Sequence, residues 1–201
     1  MNRSKNLLRV LVNNMLNVLI TGGTGDIAKA IKNELYRKID QIEVFSPSRF
    51  EMDVSDNKSI EKYIINKKID LLINNAGFIK QENLIDTSIE NIQNTFSVNI
   101  VSVFTLCNLL IRKNPELKII NIGSSAGSSA KAGWSSYCST KAAMIMATKC
   151  WHLEGIKAVC LSPGRTNTKM RKSLVSDDFK WWQMNAMMPK PLTIENLIAR
   201  S

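Results

Sequence analysis

The chain has 201 residues, room for one domain with a sizeable core, and its 44% hydrophobic and 22% charged content is that of an ordinary soluble globular protein. Its net charge of +10 is spread along the whole length, with no basic run longer than a pair such as Lys67-Lys68. That spread speaks against a nucleic-acid partner and for a solvated basic surface that also favours a phosphorylated cofactor or substrate. No window approaches 18 uninterrupted apolar residues, so neither a transmembrane helix nor a membrane partner is expected.

The opening MNRSKNLLRVLVNNMLNVLI is basic and then apolar, like a signal peptide. Asn13, Asn14 and Asn17 interrupt the apolar run, however, and no small-residue cleavage site follows. Residues 1–15 therefore read as a lead-in and residues 17–21 as the first core strand. Short runs at 16–21, 42–46, 69–75, 117–124 and 156–162 are rich in Ile, Val and Leu on consecutive positions, the pattern of strands covered on both faces. Between them lie helical stripes: Ile27, Ala30, Ile31 and Leu35; Ile60, Tyr63 and Ile64; a segment from about Ile89 to Arg112; and another from Ser136 to about Leu153. Strands alternating with helices predict an α/β fold, a doubly wound parallel sheet in three α/β/α layers with right-handed crossovers. SPSRFEMDVSD, after the second run, leaves room for a small strand but not for a crossover helix. No repeat, low-complexity tract or Pro/Gly linker divides the chain, so residues 1–201 are expected to form one domain. Beyond Pro163-Gly164 comes a Trp- and Met-containing stretch, then PLTIENLIARS, which reads as the start of a helix with Thr193 as its N-cap.

Cys107, Cys138, Cys150 and Cys160 form no CxxC pair, which suits reduced thiols in a reducing, cytoplasmic compartment. The single histidine, His152, sits in a helical segment with no nucleophile elbow beside it. Neither a metal site nor a Ser-His-Asp hydrolase is expected.

Thr21-Gly22-Gly23-Thr24-Gly25-Asp26-Ile27-Ala28 follows a strand and opens a helix. Glycines there let the backbone approach a pyrophosphate, while the helix start offers unpaired N–H groups and a positive dipole end. Tyr137 and Lys141 stand at i and i+4, on one face of a helix. A free tyrosine, with a pKa of about 10, is a poor acid or base at neutral pH, and a nearby lysine cation favours its phenolate. Ser124, with Ser125 as the neighbouring alternative, ends the strand IINIGS at the sheet edge where open α/β sheets bind ligands, and its hydroxyl can donate to a carbonyl. Asn74-Asn75-Ala76-Gly77 ends another strand, and Asn99 lies within the helical FSVNIVSVF.

In this order, TGGTGDIA, DVSD, NNAG, SVN, IGSSAG, YCSTK and SPGRTNT resemble the short-chain dehydrogenase/reductase family, in its compact single-domain type, from Thr21 to Thr168. The resemblance implies Tyr137 as acid/base on the substrate oxygen and Lys141 as the group that lowers its pKa and holds the nicotinamide ribose. It implies that Ser124 polarises the carbonyl and that Asn99 supports a water-linked proton relay. Gly22, Thr24, Gly25, Asp26 and Ile27 would lie along the pyrophosphate, Asp53 and Val54 at the adenine, and Asn75, Ala76 and Gly77 beside the adenosine ribose. Pro163, Gly164, Thr166 and Thr168 would border the nicotinamide. By the family pattern the helix after the second strand is deleted, and a final strand and helix are lacking. An acid at the end of the second strand would select NAD. Ser46, Ser48 and Arg49 stand there instead and suit a 2′-phosphate, so NADP is favoured, with NAD as the alternative.

Residues 165–192, with Met170, Leu174, Phe179, Trp181, Trp182, Met184, Met187 and Met188, would form a flap over a small-molecule carbonyl or alcohol substrate, opposite Trp134. The same residues could instead pack a helix or a subunit contact. Apolar faces on 95–110 and 142–151 would make a homodimer or homotetramer of the kind the family forms. The expected activity is NAD(P)-dependent interconversion of a carbonyl and a secondary alcohol. The alternatives are a dinucleotide-binding protein with weak turnover, or a sugar-nucleotide epimerase or reductase sharing the Tyr-Lys chemistry.

Overall fold

A computed structural model describes residues 15–164 and 166–174. The expected lead-in lies almost wholly outside the described residues. So do most of the flap, Phe179 to Met188 included, and the helix start at Thr193. The strands are β1 (Leu16–Ile20), β2 (Ile42–Phe45), β3 (Leu71–Asn74), β4 (Lys118–Ile122) and β5 (Ala158–Leu161). All pair in parallel, in the order β2-β1-β3-β4-β5, with Val18 opposite both Val44 and Leu71. The chain leaves β1 toward β2 on one side and returns to β3 on the other, so the winding reverses between β1 and β3. A crevice opens at the carboxyl ends of the strands at such a reversal.

Alternation along the strands divides the core in two. Val18, Ile20, Ile73, Ile120 and Ile122 pack on α1 (Asp26–Lys38) through Ala28, Ile31 and Leu35. Leu19, Leu72 and Ile119 pack on the opposite side against α2 (Asn57–Ile64), α4 (Ser102–Lys113) and α5 (Ser135–Leu153), through Ile60, Leu106, Leu110 and Met144. The sheet thus has helices on both faces, the doubly wound α/β arrangement expected from the strand pattern. The segment after β2 contains no strand. Ser48 accepts from Glu51 and Met52 N–H, and Asp53 from Asp56, so it runs as successive turns that deliver Met52 and Val54 to the core.

The third helical segment is divided. α3 (Ile89–Phe96) is capped by the Ser88 hydroxyl, and a wider π turn at Ser97–Val101 separates it from α4. Over Ile89–Lys113 it is long and apolar enough to cross a membrane, with a mean hydropathy of 1.5. Yet Val103, Leu106, Cys107 and Leu110 along it are buried against the sheet. A short α6 (Lys169–Lys172) follows β5.

Candidate active site

Thr21, directly after β1, is buried and ties the two central strand ends together. Its hydroxyl oxygen accepts from the N–H groups of Asn75 (3.0 Å) and Ala76 (2.9 Å), and its carbonyl accepts from Asn75 Nδ2 at 2.9 Å. The glycine turn that follows is pressed between neighbours. Gly22 has φ +66°, and a Cβ there would meet the Ala76 backbone at 3.0 Å; at Gly23 a Cβ would strike the Ser46 carbonyl oxygen at 2.1 Å. No side chain caps α1, since Gly25 stands at its N-cap. Its first N–H groups and dipole end therefore face the crevice.

The crevice has a volume of about 420 Å³, within the range of small-ligand sites. Gly22, Thr24, Gly25, Asp26 and Ile27 form one wall, with Arg49, Asp53 and Val54 at one end. Asn75, Ala76 and Gly77 lie on the floor; Ser124, Ser125, Tyr137 and Lys141 stand opposite, and Pro163, Gly164, Thr166 and Thr168 close the far rim. The backbone cradle left by the glycines and the open helix start fit the diphosphate of a dinucleotide.

Three expected residues do not reach the crevice wall. The Ser46 hydroxyl accepts from Lys32 Nζ at 3.2 Å, and both the hydroxyl and N–H of Ser48 donate to Glu51 at 2.8 Å. Asn99, on the π turn, is buried behind the wall. Its Nδ2 donates to the Phe78 carbonyl (2.9 Å) and to Thr140 Oγ1 (3.0 Å), while its Oδ1 accepts from Phe78 N–H (2.7 Å). The Asn99 side chain therefore clamps the loop after β3 to α5. Of the residues expected around a 2′-phosphate, Arg49 alone lines the crevice, with its Nε on Asp53 Oδ2 at 3.0 Å. Burial works to raise the Asp53 carboxyl, but hydrogen bonds from Ser55 and then Arg49 outweigh it and hold it below the ordinary carboxylate range.

Lys141 is 4% exposed, and its ammonium donates to the Ile122 carbonyl at 2.7 Å. Burial lowers its pKa from 10.5 to about 8, with the neighbouring Cys160 acting in the other direction. Its Nζ lies 5.7 Å from the centre of the Tyr137 ring. Burial holds the Tyr137 phenol above the ordinary tyrosine value, against the lowering expected of it; a hydrogen bond with Ser124 works the other way without cancelling the rise. Ser124 Oγ also accepts from Ala126 N–H at 3.2 Å, which fixes the turn that presents it. Serine hydroxyl, phenol and ammonium thus share one wall, where a carbonyl oxygen could be polarised and protonated.

Several supporting residues carry no expected role of their own. Asn74 Nδ2 donates to Asn121 Oδ1 (2.8 Å), Asn121 Nδ2 to Thr148 Oγ1 (2.9 Å), and Thr148 to the Met144 carbonyl (2.7 Å). This buried chain joins β3, β4 and α5. Asn74 and Asn121 interrupt otherwise apolar strands, a signal visible in the sequence. Thr140 lies within YCSTK but has no expected role of its own there, and Lys32 and Lys131 carry no signal, because their places depend on how helices and loops cross.

Comparison with known proteins follows the same lines. The family model for short chain dehydrogenase matches residues 9–178. The 2,3-dihydro-2,3-dihydroxybenzoate dehydrogenase of Bacillus subtilis is 32% identical over 64% of the chain, which spans 54% of that protein's length. The 3-oxoacyl-[acyl-carrier-protein] reductase FabG of Chlamydia trachomatis is 30% identical over 82% of the chain and 69% of its own length. Among solved structures, ElxO with NADP bound aligns at a TM-score of 0.70 and 27% identity, over 79% of this chain and 77% of that one.

Proposed function

This chain belongs to the short-chain dehydrogenase/reductase family, and from that premise we propose that it is an NADP(H)-dependent oxidoreductase interconverting a carbonyl and a secondary alcohol. The observation that carries the reading is the meeting of Ser124, Tyr137 and Lys141 on one wall of a crevice whose other wall is the glycine turn and the start of α1. When bound, the nicotinamide would supply or take the hydride at the substrate carbon. The protein handles the oxygen. Ser124 donates a hydrogen bond to it, and Tyr137 delivers or removes its proton. Lys141, held by the Ile122 carbonyl, keeps a positive charge within reach of the developing phenolate. Asn99 acts as a positioning residue, tying the Phe78 loop to the helix that bears Tyr137.

Arg49 at the crevice end, with Lys32 on Ser46 behind it, supports NADP(H) over NAD(H). The four free thiols are in keeping with a cytoplasmic enzyme. Titration with NADPH and NADH, followed by cofactor fluorescence, tests the reading together with a Tyr137→Phe variant. NADPH should bind at least tenfold more tightly than NADH. Tyr137→Phe should bind it equally well while losing about 10²-fold or more in kcat, the range for removal of a general acid. Full turnover in Tyr137→Phe would overturn the role of the phenol. Cofactor binding without turnover of any carbonyl compound would favour the non-catalytic, dinucleotide-binding alternative.

A further inference from the structure

Among the described residues, positive side chains outnumber negative ones on the crevice wall. Arg49, Lys131, Lys141, Lys169 and Arg171 face Asp26 and Asp53. Both acids are engaged, Asp26 Oδ2 by the Lys169 N–H at 2.7 Å and Asp53 by Arg49. Lys141 is turned to Ile122. Lys131 is set apart by its seat on an aromatic ring. Its Nζ lies 4.5 Å from the centre of the Trp134 ring, and among the described residues no carboxylate pairs with it.

Although exposed, Lys131 springs from a tightly fastened turn. Trp134 N–H donates to the Lys131 carbonyl at 3.2 Å, and the Gly133 carbonyl accepts from Glu82 N–H at 2.9 Å. The nearby Glu82 carboxylate is itself held by Lys80 and Asn91. Trp134 in turn meets the Tyr137 ring edge-on, with centroids 5.9 Å apart. An ammonium is therefore held one aromatic ring away from the phenol, on a crevice whose lining also includes the apolar Ile79, Val98, Met170 and Leu174. A cation without a counter-ion, at the rim of an apolar cleft, gains most from a ligand that brings its own negative charge.

We propose that Lys131, seated on Trp134, is a specificity-determining residue, and that the substrate is a carbonyl compound bearing an acid group, carboxylate or phosphate, a few bonds from the reacting carbon. The proposal rests on the oxidoreductase reading above. With the carbonyl oxygen between Ser124 and Tyr137, the acid group extends past the Trp134 face to the Lys131 ammonium, and the carbon chain between them lies on the apolar side chains.

Matched probes separate this recognition from the chemistry. The protein in the presence of NADP⁺ would be titrated calorimetrically with 4-oxopentanoate and 5-oxohexanoate, each against its methyl ester, and with dihydroxyacetone phosphate against dihydroxyacetone. Turnover of the same compounds would then be followed with NADPH. At least one acid should bind tenfold or more tightly than its neutral partner. That ratio should fall toward one in Lys131→Gln and return in Lys131→Arg, with all three proteins melting at the same temperature. Equal binding of acid and neutral partner, binding of neither, or an acid preference that survives Lys131→Gln overturns the proposal. Acids bound selectively yet never reduced would leave the recognition standing and remove the oxidoreductase reading. Neutral ketones reduced as well as their acids would do the reverse.

Discussion

Lys141 carries a charge that the fold pays to keep indoors. Its pKa falls from 10.5 to about 8 because burial strips water from the ammonium. In the unfolded chain the group keeps its proton up to about pH 10, so below pH 8 both states are charged and the folded one bears the full penalty. Between about pH 8 and 10.5 the unfolded state binds more protons, and stability rises with pH by up to about 3 kcal/mol. Cys107 and Cys160, whose thiols are raised by burial, work the other way in the same range, so the rise is read as a difference: in urea unfolding at pH 7.5 and pH 10 the natural protein should gain more, or lose less, than Lys141→Met. At this scale the sequence was informative wherever a residue acts through its own type. Tyr137, Lys141 and Ser124 stand in the crevice as expected, and so do the residues of the glycine turn. Ser46 and Ser48 were legible only as hydroxyls near the second strand's end. Whether they face a ligand depends on Lys32 and Glu51, which reach them across the fold.

Between elements, the site depends on how closely the Ser124 turn approaches α5. A Cβ at Gly127 would lie 2.8 Å from the Lys141 backbone and 2.7 Å from Ile145 Cδ1. Gly127→Ala should therefore lever Ser124 away from Tyr137, with a loss of about 1–3 kcal/mol in stability and a fall in kcat greater than the rise in KM. Thermal denaturation and steady-state kinetics on the one variant measure both. Asn121 has the complementary task. It couples β3 to α5 through Asn74 and Thr148 in a dry interior, and Asn121→Leu would remove its bonds to both, lowering stability by about 1–3 kcal/mol in chemical denaturation. The strand and helix alternation gave these elements their places because both sheet faces are covered and the strands are mostly apolar. The small strand anticipated after β2 was not there. Turn bonds around Ser48 and Asp53 took its backbone groups, and a chain that short could satisfy them locally.

Among the described residues, part of the apolar surface that the core does not use lies on the long helices. Phe96, Val101, Phe104 and Met146 are exposed on α3, the π turn, α4 and α5, and the Phe104 ring stands 5.0 Å from that of Trp151. Such a surface suits a helix-to-helix contact with a second copy of the chain. Phe104→Glu should shift the protein toward a smaller species in sedimentation velocity while leaving cofactor binding in place. The parallel direction of the strands was readable because strands alternate with helices, whereas their order came from the structure; partnership between chains has no comparable pattern along one sequence.

Asp26 belongs to both sides of the crevice, since it opens α1 and also holds the first N–H of α6, 143 positions later in the chain. The covering segment that bears Met170 and Leu174 is thereby fastened to the same turn that would receive the diphosphate. One carboxylate thus ties the rim to the phosphate cradle, so that a change at position 26 is felt at both, although the two lie far apart along the chain.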